Sequence, residues 1–565
     1  MKNILMILAV GFLVVFTELK AQDFIDQGKV SGNFQFDGQY YRTDEALGIT
    51  DSTLDGKLFR MNGYGKIIYT NGNFRAGFRY EAYLPPIDGY NPKYDGHGIP
   101  YYFAEYQFDK MQITVGNFYE QFGNGLVLRS YEEWTLGYDN TIRGARVKLQ
   151  PYQGVALKGV IGTQRYYWEP YANGNRGIVR GLDAEFYLND MFKGMSDVKT
   201  KIILGGSFVS NYEKVSDKTV VQDTTVYKYK LPNNVAAYAG RLRLTHGGFQ
   251  VNAEYAYKIN NPSAMNNYIY KNGESLLATV AYSRKGLGMS LSGKRIDNMG
   301  FKSKSSEIGE ALDINYMPPL TSPETYSLAT IYPYATQPVG EIGLQAKLNY
   351  TIPKRSKLGG KYGTRIEVNY SNIYNIDKEP VAEGIPVDST GTLGYTSDFF
   401  AIGSPKYFES FNVIISRKWN QKFKMVLSYV YQVYNADVLE HAGLPMVYAH
   451  IGIADLTYKF TPTKSLRMEV QHLSSHQDKG DWIMGLLEYN IAPKWFFTVY
   501  DEYNYGNPDE DMQLHYYSVA MAFVHGPSRI SLSYGRQREG LLCVGGVCRS
   551  VPAANGLTLS ISSSF

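Results

Sequence analysis

From Val30 onward the chain alternates between apolar and polar residues, and its connections alternate between tight and long. A period of two marks a strand with one oily face and one wet face. In 73–84, Phe74, Ala76, Phe78, Tyr80 and Ala82 oppose Arg75, Arg79 and Glu81; in 341–352, Ile342, Leu344, Ala346, Leu348 and Tyr350 oppose Gln345, Lys347 and Asn349. Tight connections fall at 70–73, 108–111, 150–153, 246–248, 285–286, 420–422, 461–463, 492–494 and 525–528. Longer polar stretches lie between them, the longest at 297–339 and 372–405, while 189–200 and 352–360 are extended members of the short set. A soluble sandwich has no reason to keep its long loops at one end, whereas a membrane barrel has short periplasmic turns and long outer loops. The expected fold is therefore all-β, a transmembrane antiparallel barrel of about 24 strands, within the range 22–26.

The two ends of the chain agree with this. In 555–565, Leu557, Leu559, Ile561 and Phe565 share one parity and Thr558, Ser560, Ser562 and Ser564 the other. A tilted strand of about ten residues crosses a bilayer, and an amphipathic last strand ending in an aromatic residue resembles the insertion signal of bacterial outer-membrane barrels. Outer-membrane lipid and the outer-membrane insertion machinery are thus expected partners. At the other end, Lys2, the apolar run 4–16 and Ala21 before Gln22 read as a secretory signal peptide over 1–21. Residues 22–565 are expected to form a single barrel domain. Strands begin near Gly28 and run to Phe565, which leaves no space for an amino-terminal plug or a periplasmic domain and disfavours a TonB-dependent transporter.

Composition removes other classes. The mean hydropathy of -0.30 and the lack of a second long apolar run exclude a helical membrane protein. The 50 tyrosines suit a surface between headgroups and water. Clusters at Tyr101/Tyr102, Tyr166/Tyr167/Trp168, Trp495/Phe496/Phe497 and Tyr516/Tyr517 are read as interfacial girdles. A net charge of +4, dispersed along the chain, gives no footprint for nucleic acid.

The wet parity carries Arg75, Arg79, Glu81, Arg146, Lys148, Asp183, Glu185, Arg241, Arg243, Glu254, Lys347, Arg365, Glu367, Arg467 and Glu469. These are expected to line the lumen, either biasing what passes or pairing across strands to hold a solvated wall together. Cys543 and Cys548 flank Val-Gly-Gly-Val and are expected to form a disulfide across a hairpin tip, since a metal site would need further ligands nearby. The segment 469–482 gathers His472, Ser474, Ser475, His476, Asp478 and Asp481. That is the composition of a rim hydrolase, and equally of a polar hairpin loop. The stretch 117–126 reads as a strand-to-loop transition, an inward-packed loop or an aromatic platform. No enzyme, cofactor or metal is expected.

Three stretches, 115–125 with its Phe-Gly-Asn-Gly end, 136–146 and 543–549, resemble an uncharacterised family of large outer-membrane barrels from Bacteroidota. The resemblance implies location and fold and brings no activity. The expected function is a channel for small hydrophilic solutes. The alternative is a non-enzymatic scaffold or assembly and secretion partner of other envelope proteins, with an occluded lumen. Of the longest loops, 297–339 and 372–405 are long enough to fold inward or to stand outside.

Overall fold

A computed structural model describes residues 28–171, 176–214, 218–222, 225–440, 442–544 and 547–565, so the leader expected over 1–21 lies outside the described residues. Twenty-four strands form one antiparallel sheet. The first, Lys29–Tyr41, pairs with Phe59–Asn71 on one side and with the last, Ala554–Ser564, on the other. That second pairing, from Asn33↔Ser564 to Tyr41↔Gly556, closes the sheet into a barrel and leaves no open edge.

Each strand keeps its sequence alternation. Val115, Leu182, Leu291, Leu344, Val499 and Val519 stand more than half exposed on the outer wall, the apolar surface that a membrane barrel turns to lipid. Their neighbours along the strands point inward. Short turns such as those between Asn71 and Phe74 and between Arg284 and Leu287 gather at one end with both strand termini, and the long connections gather at the other. The extended connections 188–199 and 353–363 both stay at the turn end. In outer-membrane barrels such a turn end is the periplasmic one. Among the described residues no helix is long and apolar enough to cross a membrane.

The loop end is not an open mouth. Residues 119–141 and 298–339 turn inward and fill the outer half of the lumen. Phe122, Leu126, Val127, Leu128, Met299, Phe301, Ile314 and Met317 pack on the inward residues Val160, Val179, Val209, Val235 and Ala256. On the opposite wall Leu320, Leu328, Ile331, Tyr332 and Tyr334 pack on Val430, Ile451, Leu473, Trp482 and Met484. Apolar side chains facing an aqueous lumen would be costly, so the wall and the loops bury one another.

The loop 377–401 behaves otherwise. Its Tyr395 anchors at the rim through a hydroxyl donated to Asp297 at 2.6 Å. Phe399 then lies on the outer wall against Tyr255, and Phe400 is exposed. Of the two longest loops only 297–339 enters the barrel. The girdle reading also divides: Tyr102, Trp495, Phe497 and Tyr517 face outward, whereas Tyr101 and Tyr516 are buried. Tyr166 is buried as well, while Tyr167 and Trp168 join the loop-end aromatic cluster around Tyr64, Tyr83 and Tyr94.

Candidate functional site

The lumen is the site, and its charges change character along the barrel axis. Nearest the loops, Arg79 and Arg165 are buried side by side. Arg79 donates to Glu81 at 2.6 Å, to Asp139 at 2.5 Å and to Glu132; Arg165 donates to Glu81 at 2.8 Å and to Asp139 at 2.7 Å. Arg79 and Glu81 come from the strand Phe74–Tyr83, Glu132 and Asp139 from the inward loop, and Arg165 from the next loop. Full burial raises the cost of ionising Asp139, yet the two guanidinium groups outweigh it and hold its carboxyl below the usual range. This cluster ties three chain segments together where water cannot compete.

At mid-depth the wall grips the loops directly. Glu254 is buried and accepts the backbone N–H of Asn124 at 2.7 Å and its side-chain amide at 2.8 Å. Arg241 donates to Asp183 at 2.6 Å, and Arg146 donates to Glu105 at 3.0 Å and to the carbonyl of Tyr119 at 3.0 Å. Glu120 collects Arg146, Lys148 and Lys158; burial opposes its ionisation, but Lys158 and the other cations pull its pKa down. Across the lumen, Gln471 accepts the N–H of Leu328, Glu502 accepts the hydroxyl of Ser327, and Lys294 pairs with Glu341, both buried.

The two inward loops also bond to each other. Arg129 N–H donates to Ile314 at 2.8 Å, Tyr316 N–H to Gly125 at 2.9 Å, and the Asn140 amide to the Asp313 carbonyl at 2.7 Å. They form one plug built from two separate segments.

Toward the turn end the same wall is wet. Arg75, Lys148, Lys347, Arg365 and Glu367 are half-buried to exposed, Glu185 and Arg243 likewise. Pairs here are of similar length but wetter: Arg365 meets Glu367 at 3.0 Å with the arginine 56% exposed, and Arg467 meets Asp455 at 3.2 Å as well as Glu469. A cavity of about 220 Å³ at the tip of the plug, lined by Asn124, Arg241, Asn252 and Thr279, marks where the wet and dry halves meet.

The remaining candidates separate. Cys543 and Cys548 are bonded across the strands Gly540–Val544 and Val547–Val551. Leu559 and Ile561 pack with Phe34 and Phe36, Leu557 is exposed, and Phe565 exchanges backbone hydrogen bonds with Gly32. In the segment 469–482, His472 points outward and bonds the Tyr505 hydroxyl at 2.7 Å, His476 is exposed, and Asp478 accepts the hydroxyl of the plug residue Tyr332 at 3.0 Å. Ser475 bonds Gln477. Among the described residues no serine hydroxyl bonds either histidine, and Asp478 clamps this hairpin loop to the plug. No group of three metal-ligating side chains gathers among them either.

Sequence reasoning missed Asp139, Glu132 and Arg165, which complete the buried cluster. Nothing in their local pattern differs from a solvated loop. The apolar run Leu126-Val-Leu128 beside them was the available sign that this loop turns inward.

A model of a family of unknown function, DUF6029, matches residues 1–565. The chain belongs to the DUF6029 family. No curated protein matches it by sequence. Among solved structures it is similar to the translocation pore of the P pilus usher PapC, with TM-score 0.40 and 11% identity over 94% of this chain and 99% of that one. The siderophore receptor PirA from Pseudomonas aeruginosa gives TM-score 0.40 and 8% identity, covering 95% and 80%. OccAB3 from Acinetobacter baumannii gives 0.33 and 10%, covering 96% and 100%. Likeness at this level says nothing of what this DUF6029 member does.

Proposed function

We propose that this DUF6029 barrel is an outer-membrane channel for small hydrophilic solutes whose conductance is restricted by its own plug. The observation that carries this reading is the wet, mixed-charge wall of the periplasmic half, which leads up to the cavity at Asn124 and Arg241. A barrel used only as an inert anchor has no need of a polar vestibule of this depth. In this reading the half-exposed charges Arg75, Glu185, Arg243, Lys347, Arg365, Glu367 and Arg467 screen solutes, cations outnumbering carboxylates five to two. Arg79, Glu81, Arg146, Lys148, Asp183, Arg241, Glu254 and Glu469 hold the plug and wall. Residues 1–21 act as the export leader, Leu557, Leu559, Ile561 and Phe565 as the insertion signal, and the lumen performs no catalysis.

A second reading rests on a specific observation, the two apolar clusters between plug and wall. Packing of that kind suits a permanently occluded barrel that serves as a scaffold for other envelope proteins. Permeation decides between them. Purified full-length protein in liposomes is expected to admit monosaccharides slowly and trisaccharides hardly at all. Liposomes that stay sealed to ions and monosaccharides alike overturn the channel reading in favour of the scaffold.

A further inference from the structure

On the outer wall, near the loop end of the strands Gly96–Gln107, Met111–Phe118, Ile142–Tyr152 and Val155–Gln164, lies a groove of about 790 Å³. Its floor is bare backbone at Gly98, Gly116 and Gly144. Ile99, Val115, Trp168 and Pro170 line it. A groove on this face is filled by the membrane, so its lining states which part of a lipid it receives.

The lining is mostly apolar and aromatic, with Arg143, Thr163 and Glu169 as its other polar side chains. Arg143 points outward from its strand with its guanidinium between the rings of Tyr102, at 4.5 Å, and Tyr171, at 4.8 Å. Among the described residues no carboxylate pairs with it. The acid in the groove, Glu169, is engaged by Arg176 at 3.5 Å. Arg143 pairs in register with Thr163, Thr163 with Ile178, and Ile178 with Tyr212. Arg180, two residues beyond Ile178 on the same face, is exposed and lies 5.7 Å from the ring of Tyr212. Two strand spacings and one side-chain repeat set the two arginines on the order of 10 Å apart.

An arginine facing hydrocarbon costs several kcal/mol at mid-membrane and little at the interface. Here Arg143 stands one residue from the loop end of its strand, level with the outward tyrosines, where headgroups lie. Aromatic faces orient the guanidinium and leave its edge free for the bidentate contacts that phosphate oxygens accept. We propose that the groove binds a phosphorylated lipid of the surrounding outer leaflet, with phosphate held by Arg143 and Arg180 and an acyl chain lying past Val115. Free phosphate would need no apolar groove beside the cations. Two cations at this spacing fit a headgroup bearing two phosphates better than one.

The test uses the full chain in detergent, titrated with bisphosphorylated lipid A or with the same lipid stripped of phosphate, and bound lipid counted by native mass spectrometry. Wild type is expected to bind the phosphorylated form at least tenfold more tightly. R143Q/R180Q should lose that preference, R143K/R180K should keep part of it because charge remains without the bidentate fork, and R417Q, at the turn end of the outer wall, should leave it unchanged. Equal binding of both lipids, or equal losses in the lysine and glutamine pairs, overturns the proposal.

Discussion

The outer and inner halves of one lumen are built from the same strands and carry the same residue types, yet they work differently. In the outer half Arg79, Glu81, Arg165 and Asp139 are almost wholly buried and bonded several times over. In the inner half Arg365 and Glu367 form an ion pair of similar length in water. The difference lies in what covers the charge. A pair in water is worth little and is lost at little cost, whereas a buried partner left alone is severely destabilising. Charge in the outer half therefore fixes the plug, and charge in the inner half is free to meet solute.

The contrast is strongest for R79M. It strands Glu81, Glu132 and Asp139 with one remaining guanidinium, and the expected loss is about 3–5 kcal/mol, read as a fall in the unfolding midpoint with new protease cuts in 119–141. A midpoint unchanged from wild type would erase the distinction between the halves. Next, L126A and L328A each open a cavity on opposite sides of the plug and should cost about 2–5 kcal/mol. If conductance rises in only one of them, the two clusters are independent gates rather than a single plug.

A smaller effect is expected from C543S/C548S. Releasing so short a ring removes about 2 kcal/mol of loop-closure restraint. It should raise hydrogen exchange in Gly540–Val551 without changing the barrel's melting.

Glu310 in the plug loop offers a pH test. Burial, reinforced by Asp313, pushes its pKa up to about 7, against the relief given by Arg549 and Lys302. Between the unfolded value of 4.5 and about 7 the unfolded chain has released this proton and the folded chain retains it. The plug is therefore expected to lose stability as pH rises through that window, and E310Q should flatten the dependence as followed by loop-specific hydrogen exchange. Smallest of all, R365Q should shift stability by about 0–1 kcal/mol while altering the cation-to-anion permeability ratio. A large stability loss there would show that the inner half is as tightly held as the outer.

Much of the barrel was legible in the sequence, because a lipid-facing wall forces strict alternation and leaves turn lengths unmasked. Strand number, the pairing of the ends and the Cys543–Cys548 bond all follow from local pattern. Where a loop goes does not follow from its length. The stretches 297–339 and 372–405 were equivalent on that measure, and they carry similar shares of apolar residues. In the first, Ile314, Met317, Leu320, Leu328 and Ile331 meet the inner wall. In the second, Phe399 and Phe400 lie outside the barrel, a difference no local pattern announced. The buried cluster was invisible for another reason: Arg79 and Glu81 looked like their wet neighbour Arg75 until distant Asp139 and Arg165 were placed over them.

The plug joins its two segments by backbone hydrogen bonds, Arg129 to Ile314 and Tyr316 to Gly125, and those segments leave the sheet at strands far apart around the circumference. Both segments start from the loop-end rim, so these bonds exist only once both have turned inward. The filling is therefore a two-part object in which neither part has its backbone partners without the other. Shortening 298–339 leaves 119–141 with donors and acceptors unmet, so a change made in one loop is felt in another on a distant stretch of the rim.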